Sequence, residues 1–142
     1  MYADFQKTKR RRRATEEHLA QEVGVLLAQA VRNVDYLRRT CPTESTADRD
    51  QESFVVTLHG QYLHISTAFF SAQLMDSAWR TGSLPPDQYL YVRISPEYNL
   101  MVREDRREIA RALLSLFRYV SSGHAKIGIL RTKALHKNCA SE

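Results

Sequence analysis

The stretch that decides the fold lies at residues 54–66, which read FVVTLHGQYLHIS. Apolar residues occupy every second position in its first half, and this period of two is typical of a strand with one buried face. Glycine tolerates the positive φ that tight hairpin turns require, so His59-Gly60 is a candidate two-residue turn. That turn would place Val56 opposite Leu63 and make one face of the hairpin apolar. The segment is therefore predicted to form a β-hairpin.

Helical periodicity flanks this hairpin on both sides. In residues 15–39 apolar side chains recur at steps of three and four, which indicates an amphipathic helix. Thr15 is its predicted N-cap, and Pro42 ends it at or before Cys41. Residues 102–121 repeat the pattern along a stripe that includes Ile109 and Phe117. Two long helices are therefore predicted to pack on the hairpin.

Shorter elements are predicted between and after these. Residues 42–53 read as a polar loop, Ser71 caps a short helix at 71–80, and residues 88–94 form a third strand. Residues 126–131 form either an edge strand or a docked tail. The predicted fold is α+β, with a small antiparallel sheet (the hairpin plus one or two further strands) packed against two long helices and one short helix. The predicted domains are a basic N-terminal arm at 1–14, a single domain at 15–131 and a C-terminal tail at 132–142.

Composition excludes several classes of protein. The chain has 142 residues, of which 43% are hydrophobic and 26% are charged, so a globular domain is expected. No apolar run approaches the ~20 residues of a membrane-spanning helix. Cys41 and Cys139 are too few to suggest a disulfide scaffold, and the basic N-terminus does not resemble a secretory signal. The sequence therefore predicts an intracellular protein, nuclear or cytoplasmic, without a membrane partner.

Positive charge is concentrated near the N-terminus. The segment 7–13 reads KTKRRRR and holds six of the 21 Lys and Arg residues, so the other 15 face 16 acidic residues with a net charge of −1. Since like charges repel and the segment has no apolar face, we expect a solvated arm. Such an arm is either a plain basic tail or one that contacts nucleic acid or a nuclear-import receptor. The residues predicted to contact nucleic acid are Lys7, Lys9, Arg10, Arg11, Arg12 and Arg13.

The sequence predicts no catalytic residue, no metal ligand and no cofactor. Zinc sites need clustered ligands, whereas the five histidines are scattered, and His59 and His64 do not converge in the predicted hairpin. Neither a nucleotide-binding glycine pattern nor a nucleophile motif occurs. The interleaved acidic and basic residues at 103–111 are predicted to form ion pairs within their helix.

The order of helix, hairpin and long helix resembles that of a known family. The matching residues are Phe54, Val55, Leu58 and Gly60 in the hairpin, then Asp105, Arg106, Ala110, Leu113, Leu114, Leu116 and Tyr119. On these residues, the chain from about 15 to 130 resembles the C-terminal half of restriction-endonuclease-like modules, of the PD-(D/E)XK type, in fungal proteins. One of these modules precedes fungal-type protein kinase domains. The resemblance implies a fold with a history of binding nucleic acid.

The chain departs from that family in its catalytic part. The family's metal-binding acid and Glu-x-Lys strand precede the first long helix, but the first residues here, MYADFQKTK, contain no Glu-x-Lys. The resemblance therefore implies a truncated or degenerate member without nuclease activity. The leading interpretation is a non-catalytic accessory or binding module that contacts nucleic acid weakly. Two alternatives stay open: a metal-dependent nuclease that retains Asp4, on a stub strand at 2–6, and Glu22, and a protein–protein docking or oligomerisation domain.

Overall fold

Three helices and a four-stranded antiparallel sheet make up the part of the chain that the structure, a computed structural model, describes: residues 2–40, 50–81 and 86–128. Their order is α1 (Tyr2–Thr40), β1 (Gln51–His59), β2 (Tyr62–Phe70), α2 (Ala72–Thr81), β3 (Val92–Ile94), β4 (Tyr98–Asn99) and α3 (Arg103–Ser121). The predicted α+β fold is confirmed. Within these ranges no helix is both long and apolar enough to cross a bilayer. The expectations for Cys41, Cys139 and residues 129–142 lie outside the described residues.

The predicted hairpin forms, but it is longer than expected, because residues 51–53 of the predicted loop belong to β1, and its turn lies one residue later. Gly60 and Gln61 are the turn residues, and Gly60 has a φ of 60°. A glycine with positive φ at the first central position is characteristic of a type II′ turn. Val56 consequently pairs with Ile65, not with Leu63, and the predicted register is wrong by two residues. A shift of two leaves every side chain on its predicted face, because the side-chain period of a strand is also two.

The other edge of β2 carries two short strands where one was predicted. β3 covers only three residues of the predicted 88–94 strand and pairs with 66–68, while β4, which was not predicted, pairs with 62–63. The ladder is interrupted between them because Pro96 has no N–H to donate. Ser95 fills the gap: its N–H donates to the Ile65 carbonyl at 2.9 Å, and its hydroxyl oxygen accepts the Ile65 N–H at 3.0 Å.

The hydrophobic core lies between α1, α2 and one face of the sheet. Its buried members come from α1 (Leu26, Ala30, Val34), β2 (Ala68, Phe70) and α2 (Leu74, Met75). α1 packs on the face that carries Val55 and Ala68, so the more apolar face of the hairpin is left on the outside. There Val56 and Leu58 stay 46% and 60% exposed. The small side chains of Ser66 and Ala68 let a helix approach closely, which decides the face that is covered.

The helix boundaries agree with the sequence for α2, for α3 and for the end of α1 at Thr40, but not for the start of α1. Ser71 caps α2 as predicted, since its hydroxyl oxygen accepts the Leu74 N–H at 3.2 Å. α3 begins within a residue of its predicted start, but Phe117 of its predicted stripe is 66% exposed. α1 begins at Tyr2, so the N-cap at Thr15 and the stub strand at 2–6 are both wrong. The helix instead runs without a break through the segment expected to be a solvated arm.

A docked segment follows α3 along the outer edge of β1. The Glu52 N–H donates to the Lys126 carbonyl at 2.8 Å, and the Gly128 N–H donates to Gln51 Oε1 at 3.0 Å. The Glu52 carboxylate also accepts the Tyr119 hydroxyl at 2.7 Å, and this hydrogen bond raises the pKa of Tyr119. Residues 126–128 thus match the predicted docked tail and not the predicted edge strand.

Candidate functional site

A buried polar cluster joins the middle of α1 to the hairpin. Glu22 projects from α1 onto the sheet and is only 7% exposed. Its Oε1 lies 2.8 Å from His64 Nε2, and its Oε2 accepts the Ser66 hydroxyl at 2.6 Å. Thr57, which lies directly opposite His64 in the hairpin, adds a further hydroxyl beside the carboxylate. One acid from the helix is thus held by side chains from both strands.

Glu22 is ionised more readily here than in water. Burial by itself raises the pKa of a carboxyl group, because it disfavours the charged form. The hydrogen bonds with Ser66 and His64, the nearby Thr57 hydroxyl and the charge of the imidazole outweigh that effect and lower the pKa of Glu22 below its usual value. Thr57 holds the carboxylate least directly, because no atom of the described residues meets the distance and angle criteria for a hydrogen bond with its Oγ1. Ser66 and His64 are therefore the groups that hold the carboxylate.

The cluster contains an acid, an imidazole and a hydroxyl, but not in the order that nucleophilic catalysis needs. A serine nucleophile requires its hydroxyl to donate to a base, which an acid then orients. Here Ser66 donates to Glu22 itself, and His64 contacts the other oxygen of the same carboxylate. Both hydroxyl and imidazole therefore converge on the acid. The arrangement fixes α1 on the sheet and does not activate Ser66.

Two more histidines lie beside this cluster. His59 is on the α1 face of the hairpin, and its ring contacts that of His18 with centroids 4.4 Å apart. His59 was expected in the turn, but the turn begins after it, so the side chains of His59 and His64 both meet α1. Their α1 partners are nevertheless different. Among the described residues no group of three or more metal-ligating side chains is close enough to hold an ion.

Two carboxylates and a lysine meet at the start of β1. Lys126 Nζ lies 2.8 Å from Asp50 Oδ2, and the Lys126 N–H donates to Glu52 Oε2 at 3.0 Å. The other Asp50 oxygen accepts the Ala72 N–H at 2.8 Å, and Glu52 also accepts from Tyr119. Both acids are thus engaged in joining β1 to α2, α3 and the docked segment. The cluster has the composition of a nuclease site but serves as a structural junction.

The two acids considered for a nuclease site are far apart. Asp4 and Glu22 lie on the same continuous helix, α1. At 1.5 Å of rise per residue their positions are separated by about 27 Å along its axis. One divalent ion cannot be held by both, since its ligands lie within 2–3 Å of the metal. This correction removes the pair on which the nuclease alternative was based.

The charged face of α3 only partly follows the prediction of intrahelical ion pairs. Arg111 and Glu108 form such a pair at 2.9 Å. Asp105 instead accepts the Asn99 N–H at 2.8 Å, and Arg106 donates to the Leu100 carbonyl at 2.8 Å. These two residues tie the start of α3 to β4. Asp105 and Glu108 therefore have structural partners.

The Glu22 cluster was not predicted from the sequence, although two features of the sequence point to it. Glu22 stands one helical turn before Leu26, on the side of α1 that carries the apolar stripe. Thr57, His64 and Ser66 share one face of the hairpin once the register is known. A carboxylate on an otherwise apolar stripe requires polar partners when it is buried. Those partners are the polar positions of the facing strands.

The basic segment occupies the first part of α1, ahead of the sheet. Residues 7–13 are helical, and the first described side chain of α1 that contacts the sheet is His18. From Lys7 to His18 the helix axis rises about 16 Å. The positive charges predicted to bind nucleic acid thus lie on the same helix that packs on the sheet further along the chain.

Comparisons with known proteins find no match among family models, curated proteins or solved structures. The likeness to restriction-endonuclease-like modules therefore stays a prediction.

Proposed function

We propose that the protein is a non-catalytic binding module that contacts nucleic acid through the basic segment 7–13 at the start of α1. The observation that carries this proposal is the continuity of α1 from Tyr2 to Thr40. A helix of this length spans about 58 Å, and its later part is packed in the core. The charges are thereby attached to the folded domain by a helix and not by a coil.

The chemistry of the segment suits a polyanion. Its six positive charges fall within seven residues, which occupy about 10 Å of helix axis. Positive charges three and four residues apart on a helix destabilise it by repulsion. Duplex DNA presents a phosphate about every 1.7 Å along its axis, so binding neutralises this repulsion and releases counterions. The expected contacts are to phosphates and are tolerant of sequence.

The polar clusters of the body support a binding role over a catalytic one. Glu22 has both oxygens engaged by Ser66 and His64, and Asp50 and Glu52 join secondary-structure elements. The formal charge of the residues outside 7–13 sums to −1, so these residues together provide little electrostatic attraction to nucleic acid. Affinity is therefore expected to depend on the basic segment.

Fluorescence anisotropy with a labelled DNA duplex tests this proposal. With six phosphates neutralised, log affinity should fall with log salt at a slope of about −5, or roughly a thousandfold between 50 and 200 mM. Changing the four consecutive arginines 10–13 to Ala should reduce that slope to about −2 and weaken binding strongly at low salt. Alanine favours a helix, so this variant keeps the backbone preference of α1.

A matched control removes four positive charges elsewhere. The exposed arginines changed to Ala in this control lie on α3: Arg103, Arg107, Arg111 and Arg118. Both variants lose the same charge, and only the first should lose most of its affinity. Equal loss in the two would show a general charge effect and contradict the proposed site. Unchanged binding after substitution of 10–13 would refute it.

A further inference from the structure

Within the part of the chain that the structure describes, the outer edge of β1 leaves backbone groups near the hairpin turn without a hydrogen-bond partner. In an antiparallel pair joined by a two-residue turn, the residues flanking the turn exchange hydrogen bonds, and every second pair repeats this. His59 and Tyr62 are the flanking pair. The N–H and C=O groups of the even-numbered residues 52–58 consequently point away from β2.

Half of this edge is already covered by the chain itself. The Glu52 N–H donates to the Lys126 carbonyl at 2.8 Å, and the Phe54 N–H donates to Gln29 Oε1 at 3.2 Å. Those two bonds confirm the direction of the outward groups. At the next two outward positions, 56 and 58, no hydrogen bond from the described residues reaches the backbone. Among the described residues, the outward backbone groups of two positions, 56 and 58, are therefore open to pairing with another strand.

The side chains of this open stretch do not protect it. Natural sheet edges usually carry a charge, a proline or a bulge that discourages pairing with another strand. Residues 54–58 of β1 read FVVTL and contain no charged side chain and no proline. Val56 and Leu58 are 46% and 60% exposed. An uncharged apolar edge of this kind favours an uncharged apolar strand as its partner.

We propose that this edge pairs with the same edge of a second copy of the chain, antiparallel, about a two-fold axis at Thr57. In this register Val56 of each copy faces Leu58 of the other, and each such pair exchanges two backbone hydrogen bonds. The four bonds use the open groups at 56 and 58 and leave the bond between Phe54 and Gln29 intact. The two sheets then form one continuous sheet.

The same register places the two Thr57 residues opposite each other across the two-fold axis. They form a pair without backbone hydrogen bonds, in which Cα atoms lie about 4.5 Å apart. A second copy therefore fits the edge in its backbone bonding and its apolar side chains.

Sedimentation equilibrium of complementary charge variants tests the pairing. The wild-type chain should be a reversible dimer, and Val56→Glu or Leu58→Lys alone should weaken dimerisation about tenfold or more, because each places a charge against an apolar residue. An equimolar mixture of the two variants should form a heterodimer, since the register brings the introduced carboxylate and the introduced ammonium group together. Leu114→Glu and Leu114→Lys, at a 58% exposed position on α3, should dimerise like the wild type and should gain nothing from mixing.

The results that overturn the proposal are distinct. A wild-type chain that stays monomeric at all concentrations contradicts it, as does a dimer that is lost in the Leu114 variants but kept in both edge variants. Circular dichroism and thermal unfolding establish that each variant is folded before its assembly is compared.

A disulfide tests the register by a second route. With Cys41 and Cys139 changed to Ser, Thr57→Cys should form a cross-linked dimer on mild oxidation, because the expected Cα separation lies within the range of disulfides. Ser122→Cys, at the exposed end of α3, serves as the control and should not cross-link at the same rate. A dimeric wild type whose Thr57→Cys variant cross-links no faster than this control would contradict the two-fold axis at Thr57.

Discussion

Replacing Glu22 with Gln tests whether the buried carboxylate holds α1 on the sheet. The ionised side chain accepts from Ser66 at 2.6 Å and contacts His64 Nε2 at 2.8 Å. A hydrogen bond to a charged group contributes about 1.5–3 kcal/mol. Gln keeps one acceptor oxygen, so one bond is lost and the other becomes neutral. We therefore expect Glu22→Gln to lower the free energy of unfolding by about 2 kcal/mol at pH 7.

The assay is thermal and urea unfolding followed by circular dichroism. A loss of this size corresponds to a decrease in Tm of about 8 °C for a domain of this length. Glu108→Gln is the matched control, because this carboxylate is 58% exposed and its partner, Arg111, lies on the same helix, α3. Its effect should stay below about 0.5 kcal/mol.

The pH dependence of the difference in unfolding free energy between wild type and Glu22→Gln provides an independent check. Interactions with Ser66, Thr57 and His64 lower the pKa of Glu22 in the folded chain below 4.5. A lowered pKa contributes stability that is present above the unfolded value of about 4.5 and is lost as the pH falls through the folded value. The difference in unfolding free energy between wild type and Glu22→Gln should therefore become smaller below pH 4.5. If this free-energy difference is absent at pH 7, or stays constant on acidification, an ionised Glu22 does not hold α1 on the sheet.

Four other substitutions should be measured by the same urea unfolding. Phe70→Ala removes a fully buried ring and should cost about 3–5 kcal/mol, whereas Leu114→Ala, at a 58% exposed site, should cost less than about 0.5. Gly128→Ala should destabilise by about 1–3 kcal/mol, since its Cβ would lie 2.8 Å from Leu37 Cγ. Gly24→Ala should stabilise by about 1 kcal/mol, because α1 leaves open space there and alanine favours a helix. Equal effects at the two glycines would contradict the docking of the C-terminal segment on α1.

Much of the fold could be predicted because it depends on local pattern. The alternation at 54–58 and the glycine at 60 indicate a hairpin, and the hairpin forms. Ser71 indicates the start of α2, and the stripe around Ile109 indicates α3. These features depend on residues within one or two turns of each other, so the sequence determines them by itself.

The tertiary structure decided the rest, because those features join residues that are distant in sequence. Whether Gly60 is the first or second turn residue sets the register, and only the packed hairpin resolves it. Glu22 meets His64 and Ser66 across more than 40 residues, and no local pattern encodes that meeting. The strand expected at 88–94 keeps only its last three residues, because β2 ends at Phe70 and gives residues 88 and 89 no strand with which to pair. Local periodicity determines which elements form, whereas long-range packing determines which face is buried and which polar groups meet.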